Sequence, residues 1–285
     1  MNLPNLPYSS RTMYIGVGGG YDIFGAIPIH LATSGESIFV NISNEVTSMG
    51  PYEPFYAFSS KLGAKPLGES LLSLVRKHHI DTIYAVDGGV DSLMVGDEVD
   101  SGTVLGDFNT MAAIDNLSNI GGRECNPCVI LACTGFGCEV EEGMNHYRVL
   151  ENISNLIKDG GFYGSCSLTN DTSIFDSYKE AVEKYSGPRK SHIQPRIIAA
   201  VEGEFGNPDI EIDPNLSKVV FDVSDDSLPA FVNPLMGMYW FFRFPQVVRR
   251  NKIIPHIKNE ITITGALAQY RGVVTRTRDK KKLPL

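Results

Sequence analysis

The stretch "YIGVGGGYDIFGAIPIHLA", residues 14–32, contains an apolar run, then three consecutive glycines, then apolar residues at helical spacing. Phe24, Ile27 and Leu31 would share one face of a helix. This order predicts a strand that ends in a glycine turn and leads into a helix. The turn has two interpretations: backbone N–H groups that bind a phosphate or another polar group, or a tight structural turn.

The same alternation continues along the first half of the chain. The segments with strand composition are "SIFVNI" (37–42), "DTIYAVDGG" (81–89) and "PCVILAC" (127–133). Helices are predicted for "ESLLSLVRKHH" (69–79), whose leucines share one face, and for about 107–120, with Asp107 as a candidate N-cap. Between the second strand and Gly68 we expect a polar loop.

The second half begins with the same rhythm and then changes. A helical stripe follows Asn145, a candidate cap, and the strand "GFYGSCSL" (161–168) precedes the helix "TSIFDSYKEAVEKY" (172–185), for which Ser173 and Asp176 form a box-like start. Beyond Asn207 the strand-like segments are "KVVFDV" (218–223), "MYWFFRF" (238–244) and "ITITGAL" (261–267), with a short helix at "PQVVRRNKII" (245–254).

Strands that alternate with helices predict an α/β, Rossmann-like fold. Parallel strands need a crossover between them, so the sheet should be mostly parallel with helices on both faces. We predict a single α/β domain over residues 1–285, with a core over 12–206. The strand-rich C-terminal extension over 207–285 would extend the same sheet or form a small α+β appendage.

Composition and charge exclude several classes of protein. The formal net charge of −8 disfavours a nucleic-acid partner. The basic residues between Arg271 and Lys282 are interpreted as a solvated C-terminal tail rather than a docking arm. No apolar run is long enough to span a membrane, and the opening "MNLPNLPYSS" lacks the features of a signal peptide, so we expect a cytoplasmic protein.

The five cysteines do not suggest a disulfide framework. Four of them, in "CNPCVILACTGFGC" (125–138), resemble a metal-ligand run. Strand alternation would however point Cys128 and Cys133 to opposite faces, so buried free thiols are favoured over a structural zinc.

Acidic residues concentrate at the end of the strand that contains Asp87. "VDGGVDSLMVGDE" (86–98) contains Asp87, Asp91, Asp97 and Glu98. Carboxylates at one strand end repel each other unless they are solvated, hydrogen-bonded or neutralised by a cation. They are therefore candidate ligands of Mg²⁺, which prefers carboxylate oxygens and water. The alternative is that these residues cap turns and helices.

A third candidate segment follows the cysteine-bearing strand. In "TGFGCEVEEGMNHYR" (134–148), Thr134 and Gly135 are placed to contact a ligand, and His146 with Glu139 or Glu142 is a candidate acid–base pair near neutral pH. A lone histidine at a helix start is, in the alternative interpretation, a surface or capping residue. A weaker acidic candidate is "VEGEFGN" (201–207).

Taken in order, "GVGGGYDIFGAIP" (16–28), "AVDGGVDSLMVGDE" (85–98), "GCEVEEGMNHYRVLEN" (137–152) and "MYWFFRF" resemble the family called domain of unknown function eleven-fifty-two, an α/β family of bacteria and archaea. The resemblance runs through most of the chain. It implies one α/β unit and the location of a site, with no assigned activity. The glycine loop, residues 87–98 and residues 139–146 match its signature positions, although the glycine spacing of "DGGVD" departs from the family pattern.

These observations predict an enzyme with a pocket at the carboxyl ends of the strands. Gly18, Gly19 and Gly20, with Asp22, would bind a small polar ligand, phosphorylated or nucleotide-like. Asp87, Asp91, Asp97 and Glu98 would bind a divalent ion, and His146, Glu139 and Asp91 would transfer protons. Metal-assisted hydrolysis or group transfer fits best.

Three other classes remain open at this point. A Rossmann-type NAD- or S-adenosylmethionine-dependent enzyme would use the glycine loop alone, and a non-catalytic sensor would bind a ligand without turnover. A covalent hydrolase is disfavoured because the G-x-S-x-G elbow is missing, although Cys138 and Cys166 are outside candidates for a nucleophile. The oligomeric state, including a homo-oligomer, is also open.

Overall fold

The computed structural model describes residues 1–18, 20–43, 46, 48–122, 126–139, 143–186, 191, 193–206 and 231–282. Its strands are β1 (Arg11–Gly16), β2 (Glu36–Ile42), β3 (Phe55–Phe58), β4 (Thr82–Asp87), β5 (Cys128–Cys133), β6 (Phe162–Ser167) and β7 (Met238–Arg243). They form one seven-stranded sheet in the order β3-β2-β1-β4-β5-β7-β6. The α/β prediction is confirmed.

The sheet is parallel except for one strand. β1 pairs in parallel with β2 and β4, β2 with β3, and β4 with β5. β7 runs antiparallel between β5 and β6. "MYWFFRF" from the predicted C-terminal extension therefore lies inside the same sheet.

The helices connect the strands and cover the sheet. They are α1 (Ala26–Leu31), α2 (Ala64–His78), α3 (Leu105–Ile120), α4 (His146–Lys158), α5 (Ser173–Tyr185), α6 (Gln194–Glu202), α7 (Phe244–Arg250), α8 (Ile254–Ile257) and α9 (Ile263–Val273). Short 3₁₀ helices occur at Asp22–Gly25, Asp91–Leu93 and Pro234–Gly237.

Side-chain alternation along the strands divides the core into two layers. In β1, Met13 and Ile15 face the layer that contains α2, α3 and α4, whereas Tyr14 faces the layer that contains α1, α5 and α6. Both layers are buried, as expected for a parallel sheet with helices on both faces. In β5, Cys128 and Cys133 pack on opposite faces, as the alternation predicts.

Several local predictions were wrong. The expected polar loop before Gly68 contains β3 and the first turn of α2. "ITITGAL" lies largely in the helix α9, which Thr262 caps by accepting a hydrogen bond from the Gly265 N–H at 3.1 Å. The cap of α5 is Thr172 rather than Ser173, because the Thr172 hydroxyl accepts from the Phe175 N–H at 3.4 Å.

Asp107 also differs from its prediction. α3 begins at Leu105 with Val104 at the N-cap position and no side-chain cap, so Asp107 lies inside the first turn. Asn145 does occupy the N-cap position of α4. The predicted strand "KVVFDV" and residues Gly19, Cys125 and Glu142 lie outside the described residues.

Candidate functional site

The candidate site lies where the order of the sheet reverses. From β1 the chain continues to β2 and β3 on one side, whereas β4 and β5 lie on the other. In an open parallel sheet, the loops at the carboxyl ends of the two strands diverge at such a point and leave a crevice for ligands. Here this switch point lies between the ends of β1 and β4.

Three buried aspartates from different segments meet at this switch point; we call them the acidic triad. Asp22 begins the 3₁₀ helix after β1, Asp87 is the last residue of β4, and Asp107 lies in the first turn of α3. One carboxylate oxygen from each lies within 4.8 Å of the others. Their exposed fractions are 7%, 2% and 5%, so this group could hold a metal ion.

Glycines make room for these carboxylates. A Cβ added to Gly18 would lie 2.3 Å from Asp107 Oδ1, and one added to Gly88 would lie 2.5 Å from Asp22 Oδ1. At Gly89 a Cβ would meet the Glu139 carboxylate at 2.3 to 2.5 Å. The close approach of acidic side chains to the backbone therefore explains Gly18, Gly88 and Gly89.

Asp87 is held by the loop that follows it. Its Oδ1 accepts a hydrogen bond from the Gly89 N–H at 2.7 Å, and its Oδ2 accepts from the Ser92 N–H at 3.3 Å and from the Ser92 hydroxyl. Burial raises the pKa of Asp87 to about 6 and outweighs these hydrogen bonds, which act to lower it. The side chain has a fixed orientation and an elevated proton affinity.

Asp107 is in a more strongly negative environment. Burial raises the pKa of its carboxyl well above the ordinary value, and the charges of Asp91, Asp87, Asp22 and Glu139 raise it further. We call these five residues the acidic cluster. The acidic cluster must either bind protons or bind a cation, because several buried carboxylates cannot all remain charged unless a cation neutralises them.

Asp91 and Glu139 complete the cluster from two loops. Asp91 begins the 3₁₀ helix after β4 and is 2% exposed. Glu139, after β5, accepts a hydrogen bond from the Val90 N–H at 2.7 Å through Oε2. Glu139 therefore joins the loop after β5 to the loop after β4.

Thr134 and Gly135 lie beside the cluster and hold the backbone together. The Thr134 N–H donates to the Asp87 carbonyl at 3.0 Å, and the Thr134 hydroxyl donates to the Met236 carbonyl at 3.3 Å. A Cβ on Gly135 would lie 2.6 Å from the Gly88 carbonyl oxygen. These contacts fix the end of β5 against the end of β4. The Gly20 carbonyl accepts from the Asn41 amide at 3.3 Å.

The structure pairs Asp97 and Glu98 with basic side chains. Asp97 Oδ1 accepts from Arg278 Nε at 2.7 Å, and Asp97 Oδ2 contacts Lys252 Nζ. Glu98 contacts Arg278 and also accepts from the backbone N–H groups of Val95 and Gly96 at 2.9 and 2.7 Å. Of the four predicted metal ligands in residues 86–98, Asp87 belongs to the acidic triad, whereas Asp97 and Glu98 form ion pairs.

His146 lies in an aromatic environment. Its ring centroid is 5.2 Å from that of Phe136, and its Nε2 is buried without a hydrogen-bond partner. Burial lowers the pKa of His146 to about 4. The predicted pairing with Glu142 lies outside the described residues.

Sequence reasoning missed the role of Asp107. It was considered as a helix cap, and caps are the commonest use of an aspartate at a helix start. The available signal was a further acid after the glycine- and acid-rich segment 86–98, at the start of a helix that leads away from the same sheet edge. Which side of that helix faces Asp22 and Asp87 depends on packing.

The comparisons with known proteins give a family and no activity. A family model described as "Protein of unknown function (DUF1152)" matches residues 32–278. Neither the curated proteins nor the solved structures yielded a match to the chain. Within the described ranges, none of the helices has both the length and the apolar character that a bilayer span requires.

Proposed function

The chain belongs to the DUF1152 family, and we propose that it is an enzyme whose acidic triad binds a divalent cation such as Mg²⁺ for hydrolysis or group transfer on a small phosphorylated or nucleotide-like ligand. The observation that carries the proposal is the convergence of three buried carboxylate oxygens within 4.8 Å at the switch point between β1 and β4. Mg²⁺ prefers oxygen ligands and retains waters and substrate oxygens in its remaining positions.

The charge of the site favours a cation over a bare anion. The triad alone has three formal negative charges, and Asp91 and Glu139 add two more to the cluster. The Asp107 carboxylate lies where a side chain on Gly18 would project, so a negative charge already adjoins the glycine loop. The Gly89 and Val90 N–H groups donate to Asp87 and Glu139. A phosphorylated ligand would therefore bind through the cation rather than through the glycine loop.

The reaction needs few other groups. The bound cation would polarise a phosphoryl oxygen and lower the pKa of a bound water. Asp91, beside the triad, would accept the proton as the water oxygen attacks phosphorus. The bond from phosphorus to the leaving oxygen breaks, and that oxygen takes up a proton from solvent. Glu139 orients the β4 loop through the Val90 N–H.

A second candidate is a dinucleotide-dependent enzyme, favoured by the strand order. The order β3-β2-β1-β4-β5 is that of the first five strands of a Rossmann sheet. At the end of β2, however, the chain has the amide Asn41 where such enzymes place an acid for the ribose, and its amide nitrogen donates to the Gly20 and Val46 carbonyls. The metal-assisted class therefore has the stronger support.

Cation binding can be tested with one substitution and a matched control on the same helix. Asp107→Asn removes one carboxylate of the triad, whereas Asp115→Asn makes the same chemical change two turns further along α3. The melting temperature of each protein is measured after EDTA treatment and again with Mg²⁺ or Mn²⁺, and binding is measured by calorimetry.

We expect the cations to stabilise the wild type and Asp115→Asn and to have little effect on Asp107→Asn. At a concentration of a hundred times Kd the stabilisation is about 2.7 kcal/mol, which raises the melting temperature by roughly 5 °C or more. Equal responses in Asp107→Asn and the wild type would refute the assignment of the site.

Catalysis is tested separately. Nucleotides and sugar phosphates are incubated with the wild type in Mg²⁺ or in EDTA, and released phosphate and transfer products are measured. Turnover that requires the cation supports the enzyme. A ligand that raises the melting temperature yet is recovered unchanged would indicate a sensor, and stabilisation by NAD or S-adenosylmethionine without a cation would favour the Rossmann-type alternative.

A further inference from the structure

The C-terminal strap, residues 276–282, lies against a loop beside the acidic cluster. Most of its residues are exposed, as in the solvated tail that the sequence predicts, but its backbone is hydrogen-bonded to the rest of the protein. The backbone of Arg278 pairs in both directions with this loop: its N–H donates to the Asp97 carbonyl at 2.9 Å, and its carbonyl accepts from the Val99 N–H at 2.9 Å. We call residues 96–102 the cover loop.

The side chain of Arg278 connects the cover loop to α4. Its Nε donates to Asp97 at 2.7 Å and its Nη2 contacts Glu98. Its Nη1 donates to Glu151 at 3.0 Å and to Asn152 at 3.2 Å. Glu98 is 1% exposed, so one guanidinium compensates a buried charge and fixes the loop against a helix.

The neighbouring strap residues continue the same attachment. The Asp279 carbonyl accepts from Arg148 Nε and Nη2 at 3.0 and 2.7 Å, and Lys280 Nζ lies 2.9 Å from Asp100 Oδ2. In the orientation that satisfies both of its polar atoms, the Asn145 amide donates to the Lys281 carbonyl at 3.1 Å and accepts from the Lys281 N–H at 3.0 Å.

The cover loop leads directly to the acidic cluster. Gly102 has a φ of 74°, and a Cβ placed on it would lie 3.5 Å from the Cβ of Asp91. The Asn145 N–H donates to the Asp100 carbonyl at 3.0 Å. The chain then enters α3, whose first turn contains Asp107. The cover loop thus joins the residues fixed by the strap to two carboxylates of the cluster.

The strap neutralises part of the negative charge of the cover loop. The cover loop contains three acidic residues, Asp97, Glu98 and Asp100, and its Gly102 lies against Asp91 of the acidic cluster. Like charges on adjacent segments repel each other, so the loop needs cations on its outer side. Arg278 and Lys280 from the strap, and Lys252 from the segment after α7, supply them.

We propose that Arg278 is a positioning residue for the cation site: it holds the cover loop so that Asp91 and Asp107 keep their places around the bound ion. The consequence for cation affinity rests on the proposed function, whereas the effect on the loop does not. Residues that orient metal ligands without touching the metal typically change affinity by 10- to 100-fold when removed.

The experiment compares Arg278→Ala, Arg278→Lys and the control Arg271→Ala, which removes an exposed arginine at the end of α9. Hydrogen exchange of the metal-free proteins measures the opening of residues 97–107. The Mn²⁺ dissociation constant is measured from the electron paramagnetic resonance of free and bound Mn²⁺.

We expect Arg278→Ala to exchange faster over residues 97–107 and to bind Mn²⁺ about tenfold more weakly. Lysine keeps the charge without the guanidinium fork, so Arg278→Lys should restore part of both properties, and Arg271→Ala should match the wild type. If Arg278→Ala does not fold, the Arg278→Lys comparison gives the test, with an intermediate loss expected.

Unchanged exchange over residues 97–107 would overturn the inference whatever the metal data show. Faster exchange with unchanged Mn²⁺ affinity would overturn the positioning role and leave the proposed function standing. If the wild type itself does not bind Mn²⁺, the proposed function fails, and the exchange data alone decide whether Arg278 holds the cover loop.

Discussion

Replacing His146 with glutamine should remove a pH-dependent loss of stability. Burial lowers the pKa of His146 from 6.5 to about 4 in the folded protein. The folded state therefore disfavours the protonated ring, and the stability that the neutral ring provides is fully present above pH 6.5. It is lost as the pH falls towards 4, because the unfolded chain takes up the proton first.

The size of the effect follows from the shift. The shift in the pKa of His146 corresponds to about 3 kcal/mol in the free energy of unfolding, of which about 2 kcal/mol is lost between pH 7 and pH 5. Glutamine does not titrate, so the free energy of unfolding of His146→Gln should fall by about 2 kcal/mol less than that of the wild type over this interval. In a chain of this size the difference corresponds to roughly 5 °C in melting temperature.

The assay is urea unfolding at pH 7, 6 and 5 in EDTA, followed by circular dichroism. EDTA keeps cation binding from adding its own pH dependence. His256→Gln is the matched control, because His256 is exposed on α8. Parallel pH profiles for the wild type and His146→Gln would contradict this reasoning, because they would show that the pKa of His146 is the same in the folded and unfolded states.

Four further outcomes are expected. Gly18→Ala should lower stability by about 1 to 3 kcal/mol, because φ is 90° and a Cβ meets the Asp107 carboxylate, and should also weaken Mg²⁺ binding in calorimetry. The free energy of unfolding of Asp87→Asn should rise by about 1 kcal/mol relative to that of the metal-free wild type as the pH is raised from 5 to 7.5. The reason is that an aspartate whose pKa is about 6 in the folded protein destabilises the fold above that pH. A difference between the two proteins that does not change with pH in urea unfolding would contradict this. Asp91→Asn should abolish cation-dependent turnover with little change in melting temperature, and a large stability loss with intact turnover would make Asp91 structural. Tyr178→Phe should cost about 1 to 3 kcal/mol in chemical denaturation, since the buried hydroxyl donates to Gln194 Oε1 at 2.6 Å.

Hydrophobic periodicity was sufficient to predict most of the strands and helices of the fold. Strands with continuous apolar runs, such as "DTIYAVDGG", and helices with one apolar face were found because burial on both faces of a parallel sheet requires those patterns. The helix at "ITITGAL" was missed because β-branched residues favour strands locally. Thr262 caps this segment, and Ala266 is buried in the core layer that contains α3, and these contacts override the local preference.

The site could be predicted only in part. The concentration of glycine and acid at the strand ends indicated the edge of the sheet where the structure places the acidic triad, and two of its members, Asp22 and Asp87, were among the predicted residues. The sequence could not show that Asp107 turns towards them, because the rotation of α3 is set by its packing against α2. Nor could it show that Arg278, distant along the chain, pairs with Asp97 and Glu98.

The place of β7 in the sheet also determines an order of assembly during synthesis. The first five strands pair among themselves, and every carboxylate of the acidic cluster is translated before β6 begins. Among the described strands β6 lies at the edge, beyond β7, so it emerges from the ribosome before β7, the described strand with which it pairs, has been made. Until β7 arrives, the nascent chain exposes both β6 and the open side of β5, which is the period in which it most needs protection from aggregation.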